Sequence, residues 1–66
     1  MNIQLNGRKC TVSGVFVVND LVREFKCDPA QVVVEVNHKV VDKGAFASTT
    51  INEGDLVEIV KFVGGG

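Results

Sequence analysis

The side chains capable of nucleophilic or acid–base chemistry are few and scattered along the 66-residue chain. Cys10 and Cys27 do not form a CxxC pair, and His38 is the single histidine, so the spacing predicts neither a metal site nor a disulfide scaffold. No Ser/His/Asp order, phosphate-binding glycine loop or paired catalytic carboxylates can be made from the remaining residues. We therefore expect that this chain is not itself an enzyme and binds no cofactor of its own.

The sequence Gly64-Gly65-Gly66 offers a reactive group of another kind. Glycine loses the most entropy when ordered and forms no core, so we expect residues 64–66 to be a flexible tail. Extended, they would reach about 10 Å beyond the last strand, and they could enter a channel too narrow for side chains. The α-carboxylate of Gly66 is inert until ATP activates it to an acyl-adenylate, which a sulfur nucleophile can then attack. On composition alone, an ordinary frayed terminus is an equal alternative.

The length and net charge of the chain limit the kind of folded domain that precedes this tail. A chain of 66 residues can bury one small core, so we predict a single domain over residues 1–63. The net charge of −1 argues against nucleic acid as a partner. No apolar run is long enough to span a membrane and no leader opens the chain, so we expect a cytoplasmic protein, monomeric when free.

Hydrophobic periodicity predicts one hairpin and one helix in the first half of the chain. Alternation on both sides of Asn6-Gly7 predicts a β-hairpin with a type I′ turn. Apolar residues spaced i, i+3, i+4, i+7 predict a helix from about residue 16 to 27, stopped by Asp28-Pro29; these residues are Val18, Leu21, Val22 and Phe25.

Three strands are predicted in the second half, at 32–36, 39–41 and 56–63, with a turn at Asn37-His38 and a helical turn that anchors Phe46. Helix and strands are segregated along the chain, which indicates an α+β class. We therefore predict a mixed sheet of four to five strands with one helix packed across one face.

The last predicted strand is apolar on both faces. A buried unpaired Glu58 would be costly, so Val57 and Ile59 should face the helix. Val60 and Phe62 then lie exposed beside Glu58, and an exposed apolar patch is commonly a partner site. We predict a partner-binding patch formed by Glu58, Val60 and Phe62. The alternative is that Phe62 folds over the sheet edge and only stabilises it.

The order of elements and several local sequences resemble the ThiS family of sulfur carriers over essentially the whole chain. The matching segments are the Asn6-Gly7 hairpin, Val34-Glu35-Val36-Asn37 with Val40-Val41, Glu53-Gly54-Asp55, Val57-Glu58-Ile59-Val60, and Phe62-Val63-Gly64-Gly65-Gly66. The resemblance implies a ubiquitin-like β-grasp fold. It also implies that Gly66 is the modified residue, that Gly65 completes the diglycine signature, and that Gly64 to Gly66 enter partner active sites.

The resemblance further implies a set of partners. A ThiF-type enzyme would use ATP to adenylate Gly66, a cysteine desulfurase or another donor would supply sulfur to form a thiocarboxylate, and thiazole synthase would consume it. Two alternatives stay open: a carrier of the molybdopterin-synthase small-subunit type, and a ubiquitin-like protein modifier that forms an isopeptide bond. A non-covalent interaction module that uses the patch alone is a third.

Overall fold

The computed structural model describes residues 1–62, which form five strands, one α-helix and two short 3₁₀ turns. The strands are β1 (Asn2–Leu5), β2 (Arg8–Thr11), β3 (Val32–Val36), β4 (Lys39–Val41) and β5 (Leu56–Lys61); the helix is α1 (Val18–Glu24), and the 3₁₀ turns are Pro29–Gln31 and Lys43–Ala45. The predicted glycine tail at residues 64–66, and Val63 at the end of the predicted last strand, lie outside the described residues.

The five strands form one mixed sheet in the order β2-β1-β5-β3-β4. The last strand, β5, lies in the middle, parallel to β1 and antiparallel to β3. The two hairpins, β1–β2 and β3–β4, therefore lie on either side of the strand that leads toward the carboxyl end of the chain.

Both hairpins turn through two residues of positive φ, as a type I′ turn requires. The first uses Asn6 (φ 51°) and Gly7 (φ 82°), as predicted. The second uses Asn37 (φ 52°) and His38 (φ 69°), so a histidine adopts the left-handed conformation that asparagine and glycine favour. The predicted turn at Asn37-His38 is confirmed.

The helix is shorter at both ends than the predicted 16–27. Val17 is extended (φ −130°, ψ 167°) and its backbone pairs with Thr50, so the helix begins only at Val18. At the other end, Lys26 has φ 56°, and the amides of Lys26 and Cys27 donate to the carbonyls of Arg23 and Val22. This is a Schellman motif, which stops the helix before Asp28-Pro29 is reached.

One core lies between α1 and the sheet. Val18, Leu21 and Val22 of the helix are fully buried against Val34 and Val57 of the central strands. Phe46 is buried beside them after the second 3₁₀ turn. Phe25, which the periodicity places on the buried helix face, is instead 38% exposed because it lies at the helix end.

Candidate functional site: the open face of the sheet and the end of β5

The two faces of β5 differ in exposure. Val57 is 1% exposed and packs in the core, and Ile59 is half-buried against it. On the other face Val60 is 55% exposed, and Phe62, which follows the end of β5, is 51% exposed. The predicted division of β5 into a buried and an exposed face is therefore confirmed, whereas the binding role of Glu58, Val60 and Phe62 stays a prediction.

The register extends this exposed surface across three strands. Val33 and Glu35 of β3 are the partners of Val60 and Glu58 of β5, and Val40 of β4 is the partner of Glu35. We call this surface, away from α1, the open face. Its apolar members include three side chains that are 38–65% exposed: Leu56, Val60 and Val40.

Two turn asparagines hold β5 from either side. Asn6 accepts a hydrogen bond from the amide of Ile59 (2.9 Å) and its side-chain amide donates to the carbonyl of Ile59 (3.3 Å). Asn37 accepts from the amide of Leu56 (3.0 Å) and donates to Asp55 (3.1 Å). The left-handed backbone conformation of Asn6 and of Asn37 thus forms each turn and also positions an amide side chain to hydrogen-bond the backbone of β5.

Lys43 connects the start of β3 to the residue that follows β5. Its Nζ donates to the carbonyls of Val32 (2.8 Å) and Pro29 (3.1 Å). The same ammonium group lies 5.7 Å from the centroid of the Phe62 ring and 6.0 Å from that of Phe46, distances typical of cation–π contacts. The amide of Phe62 donates to the carbonyl of Gln31 (2.8 Å), so Phe62 is held by both its ring and its backbone.

The family model of the ThiS family matches residues 3–66 of the chain. The chain belongs to the ThiS family. Its fold is the β-grasp fold of that family. The crystal structure of the thiamine biosynthesis protein ThiS from Geobacter metallireducens is similar with a TM-score of 0.84 and 39% identity, and the match covers 100% of both chains.

Two curated relatives place this ThiS-family domain in different contexts. The sulfur carrier protein ThiS of Bacillus subtilis is 31% identical over 65 residues, which cover 97% of this chain and 98% of the relative. A thiazole synthase of Paramagnetospirillum magneticum is 38% identical over 66 residues. This chain spans about a fifth of the length of that thiazole synthase, 20%, so the similarity concerns one segment of it.

The side chains with intrinsic reactivity are dispersed in this ThiS-family domain. Cys10 and Cys27 are half-buried against the core, and the thiol of Cys27 contacts the carbonyl of Phe25 at 3.5 Å. His38 is exposed in its turn. Among residues 1–62, no three of the His, Cys, Asp and Glu side chains are grouped to hold a metal ion, and no helix is long and apolar enough to cross a membrane.

One carboxylate has a perturbed acidity for a structural reason. Oδ2 of Asp20 accepts hydrogen bonds from the amides of Phe16 and Val17, both 3.0 Å, at the beginning of α1. The bond from Phe16 lowers the pKa of Asp20 most, and the bond from Val17 lowers it next. The positive charge of Arg23 makes a smaller contribution in the same direction. The carboxylate thus connects the loop before the helix to the first turn of α1.

The sequence interpretation missed three residues of this site. Glu35 is the only polar residue of its predicted strand, but its position opposite Glu58 depends on the β3–β5 register, which periodicity does not fix. Lys43 lies between the strands predicted at 39–41 and 56–63, where the sequence predicts only a helical turn that anchors Phe46. Asn6 was recognised as a turn former, but its contact with Ile59, 53 residues later, has no local signature.

Proposed function

We propose that this chain is a sulfur carrier for thiamine biosynthesis, in which Gly66 is adenylated, converted to a thiocarboxylate and used as the sulfur donor to thiazole synthase. The observation that carries the proposal is the extent of the family match, which includes both the folded domain and Gly64 to Gly66. The relative from Bacillus subtilis, which is matched over 98% of its length, is named a sulfur carrier protein.

The chemistry takes place on the Gly66 carboxylate. An oxygen of the carboxylate attacks the α-phosphorus of ATP in the adenylating enzyme, and pyrophosphate leaves. The resulting mixed anhydride is an electrophile. A hydrosulfide ion that attacks its carbonyl carbon displaces AMP and gives the thiocarboxylate directly. A protein persulfide displaces AMP to give an acyl disulfide, which a second thiol cleaves to the thiocarboxylate and a disulfide of the two thiols. One oxygen of the carboxylate is thereby exchanged for sulfur, and the carrier itself contributes no acid, base or metal.

The role of the folded domain in this proposal is to present Gly66 to the active sites of the partner enzymes. Phe62 is held beside Lys43 and Gln31 at the end of β5, and the four residues that follow can span at most about 14 Å when extended. Because Gly64, Gly65 and Gly66 have no side chains, these three residues could enter a narrow active site while the open face of the sheet contacts the partner outside it. We propose that such a site belongs to each partner in turn and that the chain is not an enzyme.

The partners follow from this cycle. A ThiF-type enzyme supplies the ATP-dependent step, a cysteine desulfurase or another donor supplies the sulfur, and thiazole synthase consumes the thiocarboxylate. The thiazole synthase of Paramagnetospirillum magneticum supports the last of these, because a segment of that protein is similar to this whole chain. A domain joined to an enzyme in one organism commonly acts on that enzyme in another.

The test is intact mass spectrometry of the chain after incubation with the ThiF-type enzyme, ATP and a sulfur source. We expect a mass shift equal to the exchange of one oxygen for sulfur, located at Gly66 by fragmentation. Subsequent addition of thiazole synthase with its other substrates should return the unmodified mass. The control omits ATP, and a chain that stays unmodified with active partners would exclude the carrier function.

The same experiment separates the alternative functions. A protein modifier would instead form a conjugate whose mass is the sum of the chain and a target protein, joined through a lysine. A carrier of the molybdopterin-synthase type would acquire the thiocarboxylate and then fail to lose it to thiazole synthase. The protein modifier therefore differs in the first step, provided that a cell extract supplies target proteins, and the molybdopterin-synthase type differs in the second step.

A further inference from the structure

Two carboxylates lie opposite each other at the centre of the open face. Glu58 of β5 and Glu35 of β3 are Cα partners, and side chains in this arrangement have Cβ atoms about 4.5–5.5 Å apart. Like charges directly opposite on neighbouring strands destabilise a sheet. The pair therefore opposes folding, and Glu58 is exposed while Glu35 is half-buried.

The surroundings of the two carboxylates are apolar. Val40 is the partner of Glu35 on the far side and is 65% exposed. Along β5, Glu58 stands between Leu56, 38% exposed, and Val60, 55% exposed. Exposed apolar side chains of β4 and β5 thus surround a concentrated negative charge.

We propose that the open face binds a protein partner whose apolar surface presents one cationic side chain, an arginine or a lysine, between Glu35 and Glu58. This inference rests on the proposed function, because the partner is then an enzyme that acts on Gly66. Arginine fits best, since its planar guanidinium can donate to two carboxylates at once. The apolar contacts supply buried area, and the cation fixes the orientation in which β5 approaches the partner.

The charge distinguishes this partner from other occupants of the face. A second copy of the chain, packed face to face, would bring two such acid pairs together, and like charges across an interface disfavour association. An anionic surface is disfavoured for the same reason. A partner with a central cation removes the repulsion between Glu35 and Glu58 that the free domain retains.

The test measures binding of the full chain to the ThiF-type enzyme and to thiazole synthase from the same organism by isothermal titration calorimetry. The variant is the double substitution Glu35→Gln with Glu58→Gln, which keeps size and removes charge. We expect its Kd to rise at least about tenfold for one or both enzymes. We also expect the salt dependence of binding to weaken, because the lost interaction is ionic.

The matched control is Glu24→Gln, which removes an exposed negative charge from α1, away from the open face. Its Kd should equal that of the wild-type chain. Thermal melting separates binding from folding: the double variant should be at least as stable as the wild-type chain, since a repulsive pair has been removed. Weaker binding by a more stable protein cannot be attributed to misfolding.

The possible failures are distinguishable. If the double variant binds both enzymes as tightly as the wild-type chain, or more tightly, the docking inference is wrong. If the wild-type chain binds through the acid pair and Gly66 gains no sulfur in the mass assay, the proposed function fails and the docking inference stands. A wild-type dimer that dissociates on Val60→Asp substitution would show that a second copy occupies the face, which also overturns the inference.

Discussion

The ammonium group of Lys43 lies 5.7 Å from the centroid of the Phe62 ring, and the same group donates to the carbonyl of Val32 at 2.8 Å. One side chain thus satisfies a carbonyl at the start of β3 and contacts the residue that follows β5. Together with the bond from the Phe62 amide to the carbonyl of Gln31, this contact positions Phe62, the last residue that the structure describes.

Substitution of Lys43 by methionine should therefore loosen the end of β5. Methionine keeps an unbranched side chain but removes the charge, both hydrogen bonds and both cation–π contacts. We therefore expect a loss of about 1 kcal/mol in the free energy of unfolding. Urea titration measures it, and the amide of Phe62 should exchange faster with solvent. Lys39→Met, at an exposed position of β4, is the matched control and should change neither quantity. Equal behaviour of the two variants would show that the Lys43 contacts carry no energy.

Asn6 combines a turn conformation with a contact to β5, and the two roles can be separated by substitution. Glycine accepts the φ of 51° at this position but removes both hydrogen bonds to Ile59. We expect Asn6→Gly to destabilise the protein by about 1–2 kcal/mol in urea unfolding. Asn6→Asp keeps the acceptor for the amide of Ile59 and should lose less. An Asn6→Gly variant as stable as the wild-type chain would mean that Asn6 stabilises the protein only through its turn conformation and that its hydrogen bonds to Ile59 contribute nothing.

The elements that sequence predicted well are those defined by local chemistry. The two hairpin turns follow from residues that tolerate positive φ, and β3 follows from its run of valines. The helix was predicted too long because periodicity counts apolar spacing and cannot detect the Val17–Thr50 bridge or the left-handed Lys26 that ends it.

The candidate site was predicted only along one strand. Alternation assigned Val60 and Phe62 to the exposed face of β5 without reference to any other element. Glu35 and Lys43 join the site through pairing across strands, and strand order and register are tertiary information. Gly66 was identified from its position and neighbours in the sequence, so its role stays a prediction that the mass assay tests.

The two faces of β5 can be compared by removing the same atoms from each. Val57→Ala removes two methyl groups from a fully buried side chain and should cost about 2–3 kcal/mol, through lost burial and the cavity that remains. Val60→Ala removes the same atoms from the open face and should change the free energy of unfolding by at most about 0.5 kcal/mol. Chemical denaturation of both variants checks this. Similar losses in the two would show that the open face is covered in the free protein.

The lowered pKa of Asp20 predicts how stability changes with pH. The folded state favours the charged carboxylate, so this contribution is fully present above the unfolded pKa of about 3.9 and is lost as pH falls through the lower folded pKa. We expect the stability difference between the wild-type chain and Asp20→Asn to be largest near neutral pH and to shrink toward pH 3. Urea unfolding at several pH values measures it, with Glu24→Gln as the control. A difference that stays constant with pH would mean that the carboxylate charge does not stabilise the helix start.

Removal of Gly65 and Gly66 should abolish sulfur loading at the end of the chain without changing the stability of the folded domain. The core, the hairpins and the contacts of Lys43 all lie within residues 1–62, so the truncated chain should keep its melting temperature and its circular dichroism spectrum. Sulfur loading should be abolished, because the Gly66 carboxylate is the proposed acceptor. Binding to the ThiF-type enzyme should weaken and remain measurable, since the open face still docks. A truncated chain that supports thiazole formation would exclude the carrier function and favour a non-covalent role for the open face, whereas loss of folding would show that the final residues belong to the domain.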